Sequence, residues 1–389
     1  MIRRFCLIII MILTVITSLT SCSVLLNRAY SSYTGTYELL FEDLRLTYAY
    51  QDQLPTNYAS LEQVKQAFAS EVHDNMNDCD LANVLSRVEN AINDPHFSLS
   101  FPPDIPFECV EPRTSYSSSF SGLTFLLNPA FPDEIFRSGI IDINDHLSSM
   151  PTSPIDRSAV IGYIRIDDLS LSFAGSGRLA GSRNWFAGIN SIIEKLNAAQ
   201  IQGLIIDVRT GAGGSQDNAR FIASHFIQNA RPYLIEKELI GRNRYRTNVL
   251  HVAPEGTHSY REGRILMLTD DRTCSGGEMY VLAMRIRTNL IQAGMPTAGC
   301  AGGIIGRDLA NGWTYNVTSS QTSYYEFADG SGSEVSYLRT GIPPDETITP
   351  SEDPVTVFES PFILRALELI TDTNQFNQIA SRITRHNHP

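Results

Sequence analysis

The segment with the clearest chemical potential contains Thr273, Ser275 and Glu278 and follows the apolar run Ile265–Thr269. This pattern predicts a strand, a tight turn and then a helix that starts at the serine. Backbone N–H groups at a helix start have no intrahelical partner and can bind an oxyanion, so Ser275 is a candidate nucleophile and Gly276 a candidate donor. A serine that only caps the helix would occupy the same position.

A second segment is the apolar run from Gly203 to Asp207, followed by Arg209 and a glycine-rich turn that includes Gly213 and Gly214. We predict a buried strand that ends in this turn. Glycines allow the backbone to come close to a substrate or a nucleophile. A plain turn between a strand and a helix is the alternative interpretation.

These segments resemble the two signatures of the tail-specific, or C-terminal-processing, serine protease family, and two further segments fit its pattern in order. The matching segments are Asp207-Val-Arg209 with Gly213-Gly214, Thr273-Cys-Ser275-Gly-Gly-Glu278, Gly294-Met-Pro-Thr297-Ala-Gly299 and Gly341-Ile-Pro-Pro-Asp345. The resemblance covers residues 37–372. It implies a crotonase-like α/β core, serine peptidase activity on a peptide or protein substrate, and no cofactor.

The general base is where members of this family differ. Many use a lysine just after the Thr-x-Gly turn, but position 300 is Cys and the last lysine of the chain is Lys237. The resemblance is therefore to lysine-lacking members such as the tricorn core protease, whose base is a histidine ahead of the core. The matching element contains Asp94, His96 and Ser98, and it indicates His96 as the base.

Imidazole suits this task because its ordinary pKa of about 6.5 lets it accept the serine proton at neutral pH and return it to the leaving amine. A structural histidine at a helix end is the alternative for His96. Ser98, two residues later, is a candidate hydrogen-bond partner of the ring.

The resemblance also indicates an oxyanion hole made of backbone N–H groups. Gly276, next to the nucleophile, would supply one donor, and Gly213 or Gly214 would supply the other. Loss of one such donor typically lowers the rate by about 10²–10³.

The third catalytic member is less well defined in the sequence. Tricorn-like enzymes have a glutamate at a position that is Leu338 here. Glu278 lies one helical turn after Ser275 and is the predicted acid, which either orients a partner or only supports the turn. Glu334 is a second candidate.

The cysteines outside the amino-terminal segment are Cys79, Cys109, Cys274 and Cys300. Four cysteines allow three pairings, so a bridge between Cys79 and Cys109 is one of several arrangements. Cys300 either bridges to Cys274 or simply packs, and packing is the favoured interpretation because bridging needs close Cα atoms. No zinc site is expected, since Cys-x-x-Cys and His-x-x-x-His spacings are lacking.

The amino terminus reads as a secretory signal. A positive pair, Arg3-Arg4, precedes an apolar stretch that is shorter than a membrane span of about 20 residues. Leu19-Thr-Ser-Cys22 resembles the bacterial lipobox, which predicts lipidation of Cys22. Ser23 favours the outer membrane. A plain cleaved signal is the alternative.

Alternating strands and helices from about residue 159 predict an α/β core, preceded by three helices. The expected strands are Val160–Ile166, Gly203–Val208 and Arg264–Leu268, and the expected helices are Trp185–Ala199, Gln216–Asn229, Ser275–Arg287 and Pro361–Thr371. The predicted organisation is a signal (1–22), a tether (23–36), a helical domain (37–100), a loop-rich connector (101–155) with a strand at Gly122–Leu127, a catalytic core (156–372) and a tail (373–389).

The composition of the chain argues against some classes of function. The chain has 389 residues, a net charge of −12 and 42% hydrophobic residues, which opposes nucleic-acid binding and excludes disorder as the main state. We therefore expect a cell-envelope serine peptidase. The alternatives are a binding lipoprotein that has kept the fold without catalysis, and an acyl-CoA-handling enzyme of the crotonase type. The sequence does not define the oligomeric state.

Overall fold

The structure is a computed structural model that describes residues 32–112, 127–131, 136–147, 154–169, 179–209, 213–242, 244–255, 258–326, 333–349 and 361–383. The chain divides into two compact units. Unit 1 comprises residues 1–115, 238–246 and 303–321, and unit 2 comprises residues 116–237, 247–302 and 322–389. The predicted signal, tether start and lipidation site Cys22 lie outside the described residues.

Unit 1 combines helices with a small antiparallel sheet. Its helices are α1 (Tyr33–Thr47), α2 (Leu61–Ala69), α3 (Asp78–Ile92) and a short 3-10 turn (Phe107–Cys109). Its sheet has the order β1-β11-β10, with β1 (Ser98–Ser100), β10 (Ile304–Asp308) and β11 (Thr314–Thr318).

Polar caps fix where these helices begin. The Ser60 side chain accepts a hydrogen bond from Gln63 N at the start of α2, and Asn77 with Asp80 forms a capping box at the start of α3. Helix α3 ends at Asn93, whose φ of 48° turns the chain toward residues 94–97.

Cys79 and Cys109 form a disulfide with 5.1 Å between their Cα atoms, so this is the pairing that the structure selects for them.

Unit 2 is built on a seven-stranded sheet of order β14-β9-β8-β5-β4-β3-β2. The strands are β2 (Leu127–Phe131), β3 (Arg137–Ile141), β4 (Ile161–Arg165), β5 (Gly203–Asp207), β8 (Arg264–Thr269), β9 (Leu290–Gly294) and β14 (Glu346–Thr347). Strands β4, β5, β8, β9 and β14 are parallel, whereas β2, β3 and β4 pair antiparallel.

Helices cover both faces of this sheet, which explains the continuous apolar runs of its parallel strands. The helices of this unit are α4 (Ile143–His146), α5 (Leu179–Ala198), α6 (Gln216–Ser224), α7 (Gly276–Met284), α8 (Pro361–Thr371) and α9 (Thr373–Arg382). Leu204 and Ile206 pack in one apolar cluster with residues of α5, α6 and α7, while Ile205 packs in a second cluster with α8 and α9. The described part of the chain contains no helix with the length and hydropathy of a membrane span.

A four-stranded sheet of order β13-β12-β6-β7 completes the described strands. These are β6 (Arg231–Gly241), β7 (Arg244–Val252), β12 (Ser320–Glu326) and β13 (Ser333–Val335). The sequence did not predict β6 and β7, because Glu, Lys and Arg interrupt their apolar residues.

The mixed α/β class is confirmed, and several predicted boundaries need correction. The helix predicted over Gln216–Asn229 ends at Ser224, because the apolar residues Phe226 and Ile227 pack into the core outside the helix. The predicted tail contains α9, which Asp372 caps. The predicted connector includes β2 and β3, and residues 122–126 of its expected strand lie outside the described residues.

Candidate active site

Ser275 lies on the turn between β8 and α7, at the carboxyl ends of the parallel strands. Its backbone has φ 54° and ψ −121°, a conformation that residues with a Cβ atom rarely adopt. Such strain persists only where the surroundings enforce it, and it is concentrated at functional sites. Ser275 occupies the N-cap position, but its side chain makes no capping hydrogen bond. The helix-cap interpretation of this residue is therefore wrong.

Thr273 fixes this turn to the neighbouring strand. Its hydroxyl donates to the carbonyl oxygen of Val208 over 2.9 Å and accepts from the N–H of Asp270 over 3.2 Å. Thr273 is fully buried, so these bonds form away from water. The segment before Ser275 is thereby tied to the residue that follows β5.

The glycine turn after β5 contacts the start of helix α7. A Cβ atom on Gly276 would lie 2.5 Å from the carbonyl oxygen of Gly214, and Gly214 itself has φ 128°. Gly213 belongs to the same turn and accepts a hydrogen bond from Leu169 N over 2.8 Å. The structure thus brings together the glycines that the sequence indicated as oxyanion donors, in the immediate neighbourhood of Ser275.

The Asp-x-Arg signature forms a buried ion pair at the end of β5. Arg209 donates to both carboxylate oxygens of Asp207 over 2.9 and 2.7 Å, and the Tyr163 hydroxyl donates to the same group. Burial alone would raise the pKa of Asp207, but the charge and hydrogen bonds of Arg209 hold it below its ordinary value. The guanidinium also lies 4.8 Å from the ring centroid of Phe362. These contacts fix the end of β5 and give the pair a structural role.

Glu278 lies inside the protein, one turn into α7, and its carboxylate is fully buried. It accepts hydrogen bonds from the Thr297 hydroxyl, from Gly299 N over 2.8 Å and from Cys300 N over 2.7 Å. Burial raises the pKa of Glu278 to about 7, although these hydrogen bonds act in the opposite direction. The contacts favour support of the turn over orientation of a catalytic partner.

Thr297 is a contributor whose role the sequence analysis did not assign. Its hydroxyl donates to Glu278 and accepts from Ile342 N over 2.7 Å. It therefore links helix α7 to the segment that contains Gly341 and Asp345. The Gly-x-x-Thr-x-Gly pattern was the signal that marked this residue.

Cys274 and Cys300 form a disulfide with 5.5 Å between their Cα atoms. The favoured expectation that Cys300 only packs is therefore wrong, because the two turns bring the Cα atoms within bridging distance. The N–H of Ser275 also donates to Cys300 Sγ over 3.2 Å. The nucleophile candidate is thus next to a bridge in sequence and hydrogen-bonded to it.

His96 belongs to unit 1, whereas Ser275 and the glycines belong to unit 2. It follows α3 and is largely buried, with 8% of its surface exposed. The Asp94 carboxylate accepts from His96 N over 2.9 Å with one oxygen and from the Thr318 hydroxyl over 2.8 Å with the other. This arrangement fixes the backbone that carries the imidazole. Ser98 lies on β1, and its hydroxyl accepts from Asn316 Nδ2 over 3.2 Å.

Glu334 is the second candidate for the catalytic acid, and Leu338 is the position at which the resemblance would place a glutamate. Glu334 lies on β13, where it forms an ion pair with Lys237 at 2.5 Å and accepts a hydrogen bond from Ser323 over 2.6 Å. Leu338 lines a small cavity together with Glu278. The contacts of Glu334 therefore account for it as a surface ion pair.

A serine on a strained strand-to-helix turn, with two glycine backbones packed together beside it, is typical of serine-type hydrolases. Residues 160–348 match the model described as Peptidase family S41. The match confirms the resemblance to tail-specific, serine-type peptidases over these residues.

Solved structures share this fold. A candidate peptidase from Parabacteroides merdae ATCC 43184 has a TM-score of 0.59 at 19% identity, with 87% of this chain and 97% of that chain covered. Mature CPAF complexed with lactacystin has a TM-score of 0.61 at 10% identity, with 93% and 98% covered. At these identities the similarity supports the fold alone. No curated protein matches the chain in sequence at a significant level.

Proposed function

We propose that the chain is a cell-envelope lipoprotein that hydrolyses peptide bonds through an acyl-enzyme on Ser275, with His96 as general base. The observation that carries this proposal is the strained backbone of Ser275 beside the packed Gly214 and Gly276. A nucleophile held on such a turn exposes its hydroxyl, while the adjacent backbone N–H groups are available for a developing negative charge.

In the proposed reaction, Ser275 Oγ attacks the carbonyl carbon of the scissile peptide bond as His96 accepts its proton. The N–H groups of Gly276 and of Gly213 or Gly214 bind the oxyanion of the tetrahedral intermediate. His96 then protonates the leaving amine, and a water molecule hydrolyses the ester by the same route. Glu278 supports the turn between β8 and α7 that carries Ser275 (the nucleophile turn), and it takes no proton in this scheme.

The role of His96 is supported by its motif and by the fixation of its backbone. Asp94 binds the N–H of His96 and the hydroxyl of Thr318, so the loop is held at two points. The lysine used by many members of the family has no counterpart, because position 300 is a bridged cysteine. The motif that contains His96 therefore makes its imidazole the proposed general base.

The envelope location is proposed from Leu19-Thr-Ser-Cys22, with Ser23 favouring the outer membrane. Incorporation of radiolabelled palmitate into the full-length chain tests this directly. Wild type should be labelled and Cys22→Ala should not. Equal labelling of the two chains, or none in either, would contradict the lipoprotein assignment.

The peptidase mechanism is tested by labelling residues 23–389 with a fluorophosphonate probe. Wild type should be labelled, whereas Ser275→Ala and His96→Ala should lose the label. Ser381→Ala and His251→Ala, at exposed positions, are matched controls that should label like wild type. A folded wild-type protein without label would refute the Ser–His mechanism, and the binding lipoprotein would then be the better description.

A further inference from the structure

We propose that the Cys274–Cys300 disulfide is a reducible clamp that positions Ser275, so that reduction by a dithiol lowers the peptidase activity. This inference rests on the proposed role of Ser275 as the nucleophile. Both cysteines are positioning residues in this scheme, since they act through the backbone of Ser275.

The clamp holds the backbone of Ser275 in two ways. Cys274 is bonded to Ser275 through the chain and to Cys300 through the bridge. The N–H of Ser275 itself donates to Cys300 Sγ over 3.2 Å. Both attachments end at the same residue, so Cys300 and the contacts of Thr273 together hold the turn between β8 and α7 that carries Ser275.

Cys300 is itself held on a fixed support. Its N–H donates to one oxygen of Glu278, and Gly299 N donates to the other. Gly299 has φ 73°, and a Cβ atom there would lie 2.6 Å from Arg339 N, so the turn is packed directly against another backbone segment. A tether to this turn therefore transmits rigidity to Ser275.

The bridge opposes relaxation of the strained backbone of Ser275. With φ 54° and ψ −121°, its backbone is in a region that non-glycine residues avoid, and such conformations persist where the surroundings enforce them. Cleavage of the bridge removes the covalent part of that enforcement. The turn can then relax, which moves Oγ and the N–H of Gly276 away from their working positions.

The redox step is an ordinary thiol–disulfide exchange. Cys274 is partly exposed and Cys300 is fully buried, so a dithiol attacks Cys274 Sγ and Cys300 leaves as a thiolate. The N–H of Ser275 stabilises that thiolate through its hydrogen bond. The second thiol of the reagent then attacks the reagent sulfur that is bonded to Cys274, which closes the ring of the reagent and releases Cys274. The bridge gains two electrons and two protons, and the reagent becomes a cyclic disulfide.

The experiment uses the full-length chain in detergent and the kinetics of fluorophosphonate labelling, which separate the maximal rate constant from the half-saturating probe concentration. Dithiothreitol should lower the maximal rate constant of wild type by about 10- to 100-fold, because small misplacements of a nucleophile cost this much. The half-saturating concentration should stay within about twofold, as expected when positioning rather than binding is affected. Re-oxidation should restore the rate.

The second disulfide of the chain provides the matched control. Cys79→Ala/Cys109→Ala keeps the Cys274–Cys300 bridge and should respond to dithiothreitol like wild type. Cys274→Ala/Cys300→Ala should label slowly with or without dithiothreitol. If this second variant does not fold, as judged by circular dichroism, the reversible response of wild type and of the control decides the question.

The outcomes separate this inference from the function on which it rests. Oxidised wild type that labels, with a rate unchanged by reduction of the Cys274–Cys300 bridge, would overturn the clamp and leave the peptidase in place. A rapidly labelled Cys274→Ala/Cys300→Ala variant would do the same. Oxidised wild type that is folded and does not label would refute the proposed function, and the clamp with it.

Discussion

The contact between Gly276 and Gly214 allows a sharp test of the oxyanion hole, through the substitution Gly276→Ala. The added methyl carbon would lie 2.5 Å from the oxygen, 2.8 Å from the carbonyl carbon and 2.9 Å from the nitrogen of Gly214. All three are backbone atoms, so no side chain can rotate away to make room. Gly276 or Gly214 must therefore move.

The size of the required movement follows from the same distances. Ordinary van der Waals contact begins at 3.4 Å, so the two segments must separate by about 0.9 Å at the closest pair. A displacement of this size at a catalytic group costs about 10²-fold, and loss of one oxyanion donor costs about 10²–10³-fold. We expect the rate of fluorophosphonate labelling and of peptide hydrolysis to fall by about 10²-fold or more.

The matched control for this test is Gly306→Ala on β10. An added methyl there meets only the side-chain oxygen of Asn316 at 3.5 Å, which is an ordinary contact. The control should label at the wild-type rate, and thermal unfolding should show that Gly276→Ala remains folded. Labelling of folded Gly276→Ala within about threefold of wild type would refute the assignment of these glycines.

Three further predictions concern stability. Burial raises the pKa of Glu278 to about 7 from 4.5, so the folded chain binds its proton more tightly than the unfolded chain. The free energy of unfolding should therefore fall by about 3 kcal/mol from pH 4.5 to pH 7. Urea unfolding should show a smaller fall in Glu278→Gln, and an equal dependence on pH in the two proteins would contradict the prediction. Asp207→Asn removes the carboxylate that neutralises Arg209 and should cost about 3–5 kcal/mol in urea unfolding, whereas a cost below about 1 kcal/mol would argue against a structural pair. Cys79→Ala/Cys109→Ala should lose about 3 kcal/mol in thermal unfolding and keep the wild-type labelling rate; an unchanged melting temperature would count against the bridge.

The parts of the fold that the sequence predicted well have strong local signals. Gly203–Asp207 is a continuous apolar run because helices cover both faces of its sheet. Pro361–Thr371 has the bounds that its apolar period indicated. Strands β6 and β7 were missed because charged residues interrupt their apolar residues over a partly exposed surface. The early end of α6 depends on packing of Phe226 against residues distant in the sequence.

The residues of the candidate site also divide into those that local motifs predicted and those that depend on contacts between distant segments. The positions of Ser275, Gly276 and Gly214 followed from motifs, since each motif specifies a local backbone shape. The bridge between Cys274 and Cys300 was not predictable, because it depends on how close two separate turns lie. The same limitation applied to Glu278, whose partners are 19 to 22 residues away in the chain. His96 remains a prediction from its motif.

Helix α8 has a consequence for the order in which this core can be completed. Its Phe362 ring lies against Arg209, and its Ile370 side chain fills the space over Gly203, where a Cβ atom would lie only 2.5 Å away. This face of the sheet is therefore closed by residues synthesised after every predicted member of the site. A chain that emerges amino terminus first cannot finish this core until residues 361–371 are available. The order of synthesis therefore places completion of this core after every predicted member of the site has been made.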